Sequence, residues 1–392
     1  MNRNVKVLLL VSALFGLAMG IYEFVLPFYL RDKGISFMNM GIIFSVASIA
    51  MFFIRINAGR LSDIHGRKIV YLLTLAGLAI ANFFTSFASR IFSLVLLKST
   101  REAAGAVQES IHSVALFENA KNKFMNFISK TQGALFIFYG LGSLLAGFLI
   151  VRIGSKNTFI FNALLSLSAF FLMLFFFKEE GFKNQKKENA YPSKLYSFDL
   201  SKPLAVITLS SFIFNIGMSA SHSFMMPLFF IDKFGASKEI TAVIMAIHRI
   251  LLGVPMLATG ILIKESMDLK RTYIWFLVVE GILMSASALI PQFLPATIVW
   301  LGHDTIGAAS WIPVQLTLIQ RYSNSGKRAS DVTKVAAFST LGLIIGPLLS
   351  GWLYPVSVNL PFFVSGIIMM AAALMLIPLQ TKVPSSEFKV QS

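Results

Sequence analysis

The residues best suited to chemistry lie in one long apolar stretch, residues 91–117. This stretch carries the ionisable residues Lys98, Arg101, Glu102, Glu109 and His112. At about 100° per residue, these side chains fall within an arc of about 100° on a helix, so one face of the helix is polar. A charge at mid-bilayer costs about 2.5–3.5 kcal/mol on insertion scales, and we therefore expect this face to line a cavity. Lys98 and Glu102 can partly neutralise each other, and a purely structural ion cluster is the alternative.

A further carboxylate, Glu23, lies in the apolar stretch at the start of the chain. Its helical face also carries small or flexible residues, namely Ser12, Gly16, Met19 and Pro27. A carboxylate in a low-dielectric cavity can exchange a proton, and a neighbouring guanidinium opposes that exchange. We predict that Glu23 carries a proton or contacts a cationic substrate, with Arg101 as its modulator. The alternative is a fixed salt bridge between Glu23 and Arg101.

The second half of the chain has fewer ionisable residues in its apolar stretches. Arg249 can pair with Glu280 or with Asp304, and the sequence does not choose between them. Each histidine stands alone along the chain and is expected to pack or to form hydrogen bonds, so no metal site is predicted. The residues predicted to face a cavity are Tyr22, His112, Gln132, Tyr139, Asn215, His222, Arg249, His303, Asp304 and Trp311.

The composition indicates which class of protein positions these side chains. The 392 residues are 56% hydrophobic and only 13% charged, whereas soluble proteins carry roughly 25% charged residues. These values exclude a disordered protein and most soluble enzymes, and the absence of cysteine excludes a disulfide scaffold. The net charge of +16 would indicate nucleic acid in a soluble protein, but the apolar content indicates a membrane instead, and no nucleic-acid partner is expected.

Twelve segments are long and apolar enough to cross a bilayer as helices of about 20 residues. They are residues 7–30, 39–58, 69–89, 91–117, 124–151, 157–177, 202–230, 238–263, 271–292, 294–320, 331–354 and 357–379. These runs are too long and too uniformly apolar for the alternating strands of a membrane barrel. The sequence therefore predicts an all-α integral membrane protein with twelve transmembrane helices.

Loop composition predicts orientation and domain organisation. Lysine and arginine concentrate in the loops on the side of the N-terminus, which places both termini in the cytoplasm by the positive-inside rule. Residues 178–201 are rich in charge and contain Pro192, as expected of a cytoplasmic linker. This linker would separate an N-terminal six-helix bundle, residues 1–177, from a C-terminal bundle, residues 202–392.

The two halves of the chain resemble each other. PFYLRDK at residues 27–33 matches PLFFIDK at 227–233, and GSLLAGFL at 142–149 matches GPLLSGWL at 346–353. The offsets of 200 and 204 residues are nearly equal, as a diverged duplication would give. Two parallel six-helix repeats around a site at the membrane midplane form a plan of secondary transporters.

A glycine-rich and basic turn, GRLSDIHGRK, follows the second span at residues 59–68. The turn resembles the signature loop of the major facilitator superfamily in the spacing of Gly59, Asp63, Gly66, Arg67 and Lys68. The whole chain resembles members of this superfamily in length, number of spans, central linker and internal repeat. Ile64 departs from the pattern, since many members carry a basic residue there. The resemblance implies a cytoplasmic charge latch formed by Asp63 and Arg67, with Glu118 as an acidic partner and Asp331 at the start of span eleven.

A second resemblance concerns the subclass within that superfamily. Arg101 followed four residues later by Gly105 resembles an element of the proton-coupled drug antiporters. The Gly-Pro pair that those antiporters carry in span five is absent there, and the chain has Gly346-Pro347 in span eleven instead.

The sequence therefore predicts a secondary active transporter that works by rocker-switch alternating access. The preferred activity is proton-coupled efflux of lipophilic, cationic small molecules by a monomer in the cell membrane, without a cofactor. The alternative is a transporter of a sugar or of a small polar or anionic metabolite. A membrane receptor or enzyme is the third reading, and it would need a catalytic cluster in the cavity. The chain has no phosphate-binding loop, so ATP-driven transport is not supported.

Overall fold

The computed structural model describes residues 2–119, 124–179, 197–262, 267–323 and 328–380, and these ranges contain helices and no strand. The helices are α1 (Arg3–Asp32), α2 (Phe37–His65), α3 (Arg67–Thr85), α4 (Ile91–Asn119), α5 (Phe124–Phe176), α6 (Lys202–His222), α7 (Met225–Phe234), α8 (Lys238–Leu262), α9 (Leu269–Leu289), α10 (Phe293–Gly302), α11 (Ala309–Tyr322), α12 (Arg328–Thr340), α13 (Gly342–Leu353) and α14 (Leu360–Leu374). A π-helical turn, His303–Ala308, joins α10 to α11.

The predicted twelve-span, all-α architecture is confirmed, although several spans are interrupted. Spans five and six form one helix, α5, that is broken only at Gly154, whose φ of 76° no helix accommodates. Span seven is divided between α6 and α7, span ten contains the π-helical turn, and span eleven is divided between α12 and α13. Within the described ranges, seven helices are long and apolar enough to cross a membrane. Most of the predicted linker lies outside the described residues, and the domain boundaries and the orientation stay predictions.

Glycines set the close approach of helices within and between the two bundles. In the N-terminal bundle (α1–α5), a Cβ atom on Gly20 of α1 would lie 2.0 Å from the carbonyl oxygen of Tyr139 on α5. Between the N-terminal bundle and the C-terminal bundle (α6–α14), Gly140 of α5 packs against Ala246 of α8. Gly41 of α2 packs against Pro347 of α13. The contacts of Gly147 with Ala242 and of Gly351 with Met38 are equivalent under the 204-residue offset of the internal repeat.

We expect Gly20→Ala to destabilise the protein by about 1–3 kcal/mol, because the added methyl group must displace the α5 backbone. The matched control is Gly105→Ala on α4, where the nearest atom to the new Cβ would be Phe15 Cζ at 3.9 Å. Alanine is the better helix former by about 1 kcal/mol, so Gly105→Ala should be neutral or stabilising. Thermal unfolding of the two purified variants in detergent measures the difference, and equal losses would contradict the close approach.

The two bundles also meet at one end of the molecule, which we call the Gly34 end because α1 turns into α2 there. Arg31 pairs with Asp232 across the bundles at 2.5 Å, and the Tyr354 hydroxyl donates a hydrogen bond to the same carboxylate at 2.8 Å. The rings of Phe37 and Tyr354 lie 4.5 Å apart. These contacts cover the Gly34 end of the space between the bundles.

Large apolar side chains cover much of the outer surface. Leu73, Phe92 and Trp275 are 67%, 79% and 64% exposed. An apolar surface of this extent is unusual for a soluble monomer and fits a surface that contacts lipid.

Candidate functional site

Two acids and two bases form a buried ion cluster where α1 meets α4, and we call it the α4 charge cluster. The Glu23 carboxylate lies 2.6 Å from Arg101 and 3.0 Å from Lys98. The Glu102 carboxylate lies 3.0 Å from Arg101 and 2.7 Å from Lys98. Each base therefore contacts both acids. Because there are two acids and two bases, the cluster has no net charge when all four groups are ionised.

The two bases are almost completely buried, whereas the Glu23 side chain remains 21% exposed. The ring of Tyr22 lies 3.9 Å from the Arg101 guanidinium, and Phe44 lies 4.5 Å from the Lys98 ammonium. The negative faces of these rings stabilise desolvated cations. The sequence predicts the contact of Glu23 with Arg101 but not the contact with Lys98, because the rotation of α1 against α4 is not encoded in either helix alone.

The exposed side of Glu23 lines a narrow cavity of about 30 Å³ between the bundles, which we call the central cavity. Its lining includes Glu23, Phe24 and Tyr139 from the N-terminal bundle and His222, Met226, Met245 and Arg249 from the C-terminal bundle. The cavity thus presents a carboxylate from one bundle and a guanidinium from the other.

Arg249 contacts neither of the acids that the sequence offered as partners. Its guanidinium lies 4.3 Å from the Tyr139 ring and donates a hydrogen bond to the Tyr139 hydroxyl at 3.3 Å. Glu280 accepts a hydrogen bond from the Trp311 indole, and Asp304 lies 2.6 Å from His248. Arg249 therefore faces the cavity from the opposite bundle to Glu23.

Three histidines that are far apart in the sequence come together in the C-terminal bundle. His222, His248 and His303 form what we call the histidine cluster, in which one ligand nitrogen from each residue lies within 4.8 Å of the others. Asp304 adjoins it on the π-helical turn. The sequence alone does not predict this cluster, because the three residues belong to three different spans.

The signature turn proves to be a short break between two helices. α2 continues through His65, and Gly66 turns the chain with a φ of 89°. The carboxylate of Glu179, which sequence reasoning did not select, accepts the backbone N–H groups of Arg67 at 2.5 Å and Lys68 at 3.3 Å. It thereby caps the N-terminus of α3, where a negative charge is favourable.

The charge latch implied by the family resemblance stays a prediction. Gly59 lies in α2, and the side chains of Asp63 and Glu118 lie outside the described part of the chain. Asp331 is buried in the first turn of α12. The Lys68 ammonium instead donates hydrogen bonds to the carbonyl groups of Leu174 and Phe177.

The other predicted cavity residues are not among the described lining residues of the central cavity. His112 is buried and contacts the Tyr71 hydroxyl at 3.0 Å. Asn215 donates to the Ser339 carbonyl, which joins α6 to α12. Trp311 packs on Phe214 as well as on Glu280. Gln132 is partly buried on α5, and the Glu109 side chain lies outside the described residues.

Residues 8–303 match the family model of the Major Facilitator Superfamily. The chain belongs to the major facilitator superfamily. It is a membrane-spanning transporter of small molecules and not an enzyme. Similar proteins include Multidrug resistance protein 2 of Bacillus subtilis, 24% identical over 90% of this chain and 89% of the relative. Quinolone resistance protein NorA of Staphylococcus aureus is 24% identical over 99% of both chains.

Solved structures of this superfamily have the same fold. The nucleoside transporter NupG superposes with a TM-score of 0.78 and 15% identity, covering 97% of this chain and all of NupG. The xylose transporter XylE from Escherichia coli, in an inward open conformation, gives a TM-score of 0.73 with 13% identity over 97% of this chain and 98% of XylE. At these identities the likeness establishes the fold alone.

Proposed function

We propose that this transporter exports lipophilic, cationic small molecules in exchange for protons. The observation that carries the proposal is the position of Glu23, whose carboxylate is shared between the α4 charge cluster and the central cavity. The aromatic and methionine side chains beside it suit an apolar ligand. Two similar proteins are named for multidrug and quinolone resistance, which supports export of drug-like small molecules.

The proposed coupling works through competition for one carboxylate. In the closed arrangement of the Gly34 end, Lys98 and Arg101 hold Glu23 as an anion. A proton or a cationic substrate in the central cavity competes with these two bases for Glu23. Glu102 keeps both bases partly neutralised when Glu23 is released, so the exchange does not leave two buried cations without a partner.

Arg249 favours a second candidate function, the transport of an anionic or polar metabolite. Its guanidinium faces the central cavity, and its described contacts are with Tyr139 rather than with a carboxylate. A guanidinium in such a position can bind a carboxylate or phosphate through two parallel hydrogen bonds. One solved structure of the same fold is a human organic anion transporter, with a TM-score of 0.68.

Transport by the purified chain in proteoliposomes distinguishes the two functions. An imposed pH gradient should drive tetraphenylphosphonium across the membrane, whereas a sugar and an organic anion should not move. A protonophore should abolish the movement, and liposomes without protein give the background. A rate of tetraphenylphosphonium transport that does not change with the pH gradient would refute proton coupling. Transport of the organic anion alone would favour the second candidate.

A further inference from the structure

The histidine cluster has a geometry that the transport proposal does not use. The ring centroids of His222, His248 and His303 form a nearly equilateral triangle, with sides of 5.1, 5.5 and 5.6 Å. Zinc–nitrogen bonds of about 2.0–2.1 Å at tetrahedral angles place the centroids of ligating imidazoles about 5 Å apart. The three rings are therefore spaced as they would be around one metal ion.

Hydrogen bonds around the cluster fix the free nitrogen of His303. Its Nδ1 contacts the backbone carbonyl of Trp300, which can only accept a hydrogen bond. Nδ1 therefore carries the proton in the neutral ring, and Nε2 presents a lone pair. This is the arrangement by which an outer carbonyl orients a metal-binding histidine.

Two serine hydroxyl groups likewise determine which ring nitrogen of His222 carries the proton. The Ser365 hydroxyl donates to the Gly217 carbonyl at 2.6 Å, so the Ser221 hydroxyl has the Ser365 oxygen at 2.9 Å and the Met218 carbonyl at 3.2 Å as acceptors. The Ser221 oxygen then accepts a hydrogen bond from His222 Nδ1 at 2.8 Å. His222 Nε2 is consequently also a lone pair.

These two lone pairs face each other. His222 Nε2 lies 3.0 Å from His303 Nε2, and two acceptors at this distance repel unless a cation lies between them. His248 adds a third nitrogen: its Nε2 lies 2.6 Å from the Asp304 carboxylate, and within the described part of the chain neither of its buried ring nitrogens has a partner in hydrogen-bonding geometry. Each ring thus has one nitrogen beside a supporting polar group and another available as a ligand.

The surroundings supply negative charge and a route of entry. Asp304 lies beside both His248 and His303, and Glu280 is buried on the neighbouring α9. Arg249 is the opposing positive group, and it turns toward Tyr139. His222 lines the central cavity, which gives an ion access to the cluster. The cluster also adjoins a π-helical turn, a feature found frequently at functional sites.

We propose that His222, His248 and His303 form a binding site for a divalent transition metal ion of the zinc class. Asp304 orients His248 or completes the tetrahedral set. Imidazole ligands select zinc, cobalt or nickel over magnesium and calcium, which prefer oxygen. The site is independent of the substrate class proposed above, because binding can be measured without transport.

The test is metal binding by the purified 392-residue chain. The chain is purified through an affinity tag that contains no histidine, and a chelator then removes any bound metal. We expect one Co²⁺ per chain with the visible absorption bands of tetrahedral cobalt, displacement of Co²⁺ by Zn²⁺, and no displacement by Mg²⁺. Bound Zn²⁺ should also raise the thermal unfolding midpoint, because a ligand that binds only the native state stabilises it.

Variants locate the site. His248→Gln and His303→Gln should each weaken Co²⁺ binding by more than about tenfold, since even the loss of an outer-shell partner costs about 10–100-fold. The matched control is the double variant His65→Gln and His112→Gln, which removes the other two histidines of the chain and should bind Co²⁺ like the parent.

Two results would overturn the proposal. One is a parent chain that binds neither Co²⁺ nor Zn²⁺. A proton shared between His222 and His303 would then explain the short distance between their Nε2 atoms. The other is a triple variant without His222, His248 and His303 that is folded and binds Co²⁺ as the parent does. If the variants do not fold, X-ray absorption of the zinc-loaded parent decides, because a shell without three imidazole nitrogens would exclude the site.

Discussion

Replacing Glu23 with glutamine is expected to reduce transport driven by a pH gradient by at least about tenfold and to remove its pH dependence. Coupling between two sites is typically worth about 1–3 kcal/mol, or about 5–150-fold, and glutamine cannot carry the proton that links them. The amide keeps the shape of the side chain, so the central cavity should retain its volume. Initial rates in proteoliposomes, measured across a range of imposed gradients, test this expectation.

The matched control for Glu23 is Glu102→Gln. Both substitutions remove one negative charge from the same two bases, Lys98 and Arg101, but Glu23 lines the central cavity and Glu102 is not among its lining residues. Glu102→Gln should therefore slow transport while preserving its response to the gradient. If the two variants lose pH dependence equally, Glu23 serves charge balance as a fixed salt bridge and the coupling proposal fails.

Replacing Arg101 with methionine is expected to lower stability by about 3–5 kcal/mol, because removal of one partner of a buried ion pair leaves the others uncompensated. The Arg101 side chain is 2% exposed, and its guanidinium contacts Glu23, Glu102 and the Tyr22 ring. Methionine fills much of the same volume, so the loss reports charge rather than a cavity. The thermal unfolding midpoint in detergent is the measurement.

Arg249→Met is the control for Arg101, since Arg249 is partly exposed and bonds only weakly to Tyr139. Its unfolding midpoint should stay close to that of the parent. The double variant Arg101→Met with Glu23→Gln should recover part of the stability, because it removes an acid together with its base. A double variant whose losses simply add would show that the two side chains do not interact.

The sequence by itself determined the architecture. Long apolar runs can satisfy their backbone groups within a bilayer only as helices, so the twelve spans followed from composition and length. The spacing of Gly59, Asp63 and Gly66 with the internal repeat indicated the superfamily. The polar face of α4 was also predictable, because the periodicity of one helix fixes which of its side chains point the same way. The sequence likewise contained the pair Lys98 and Glu102, which are four residues apart.

Only the tertiary structure decided which helices face one another, and in what rotation. In the tertiary structure Glu23 contacts two bases rather than one, and Arg249 contacts Tyr139. Glu179 caps the N-terminus of α3. The tertiary structure also gathered His222, His248 and His303 from three spans whose separate sequences show no metal-binding spacing. The physical reason is that periodicity is a property of one helix. The depth and rotation of neighbouring helices depend instead on close contacts such as Gly20 against Tyr139, which involve residues far apart in the chain.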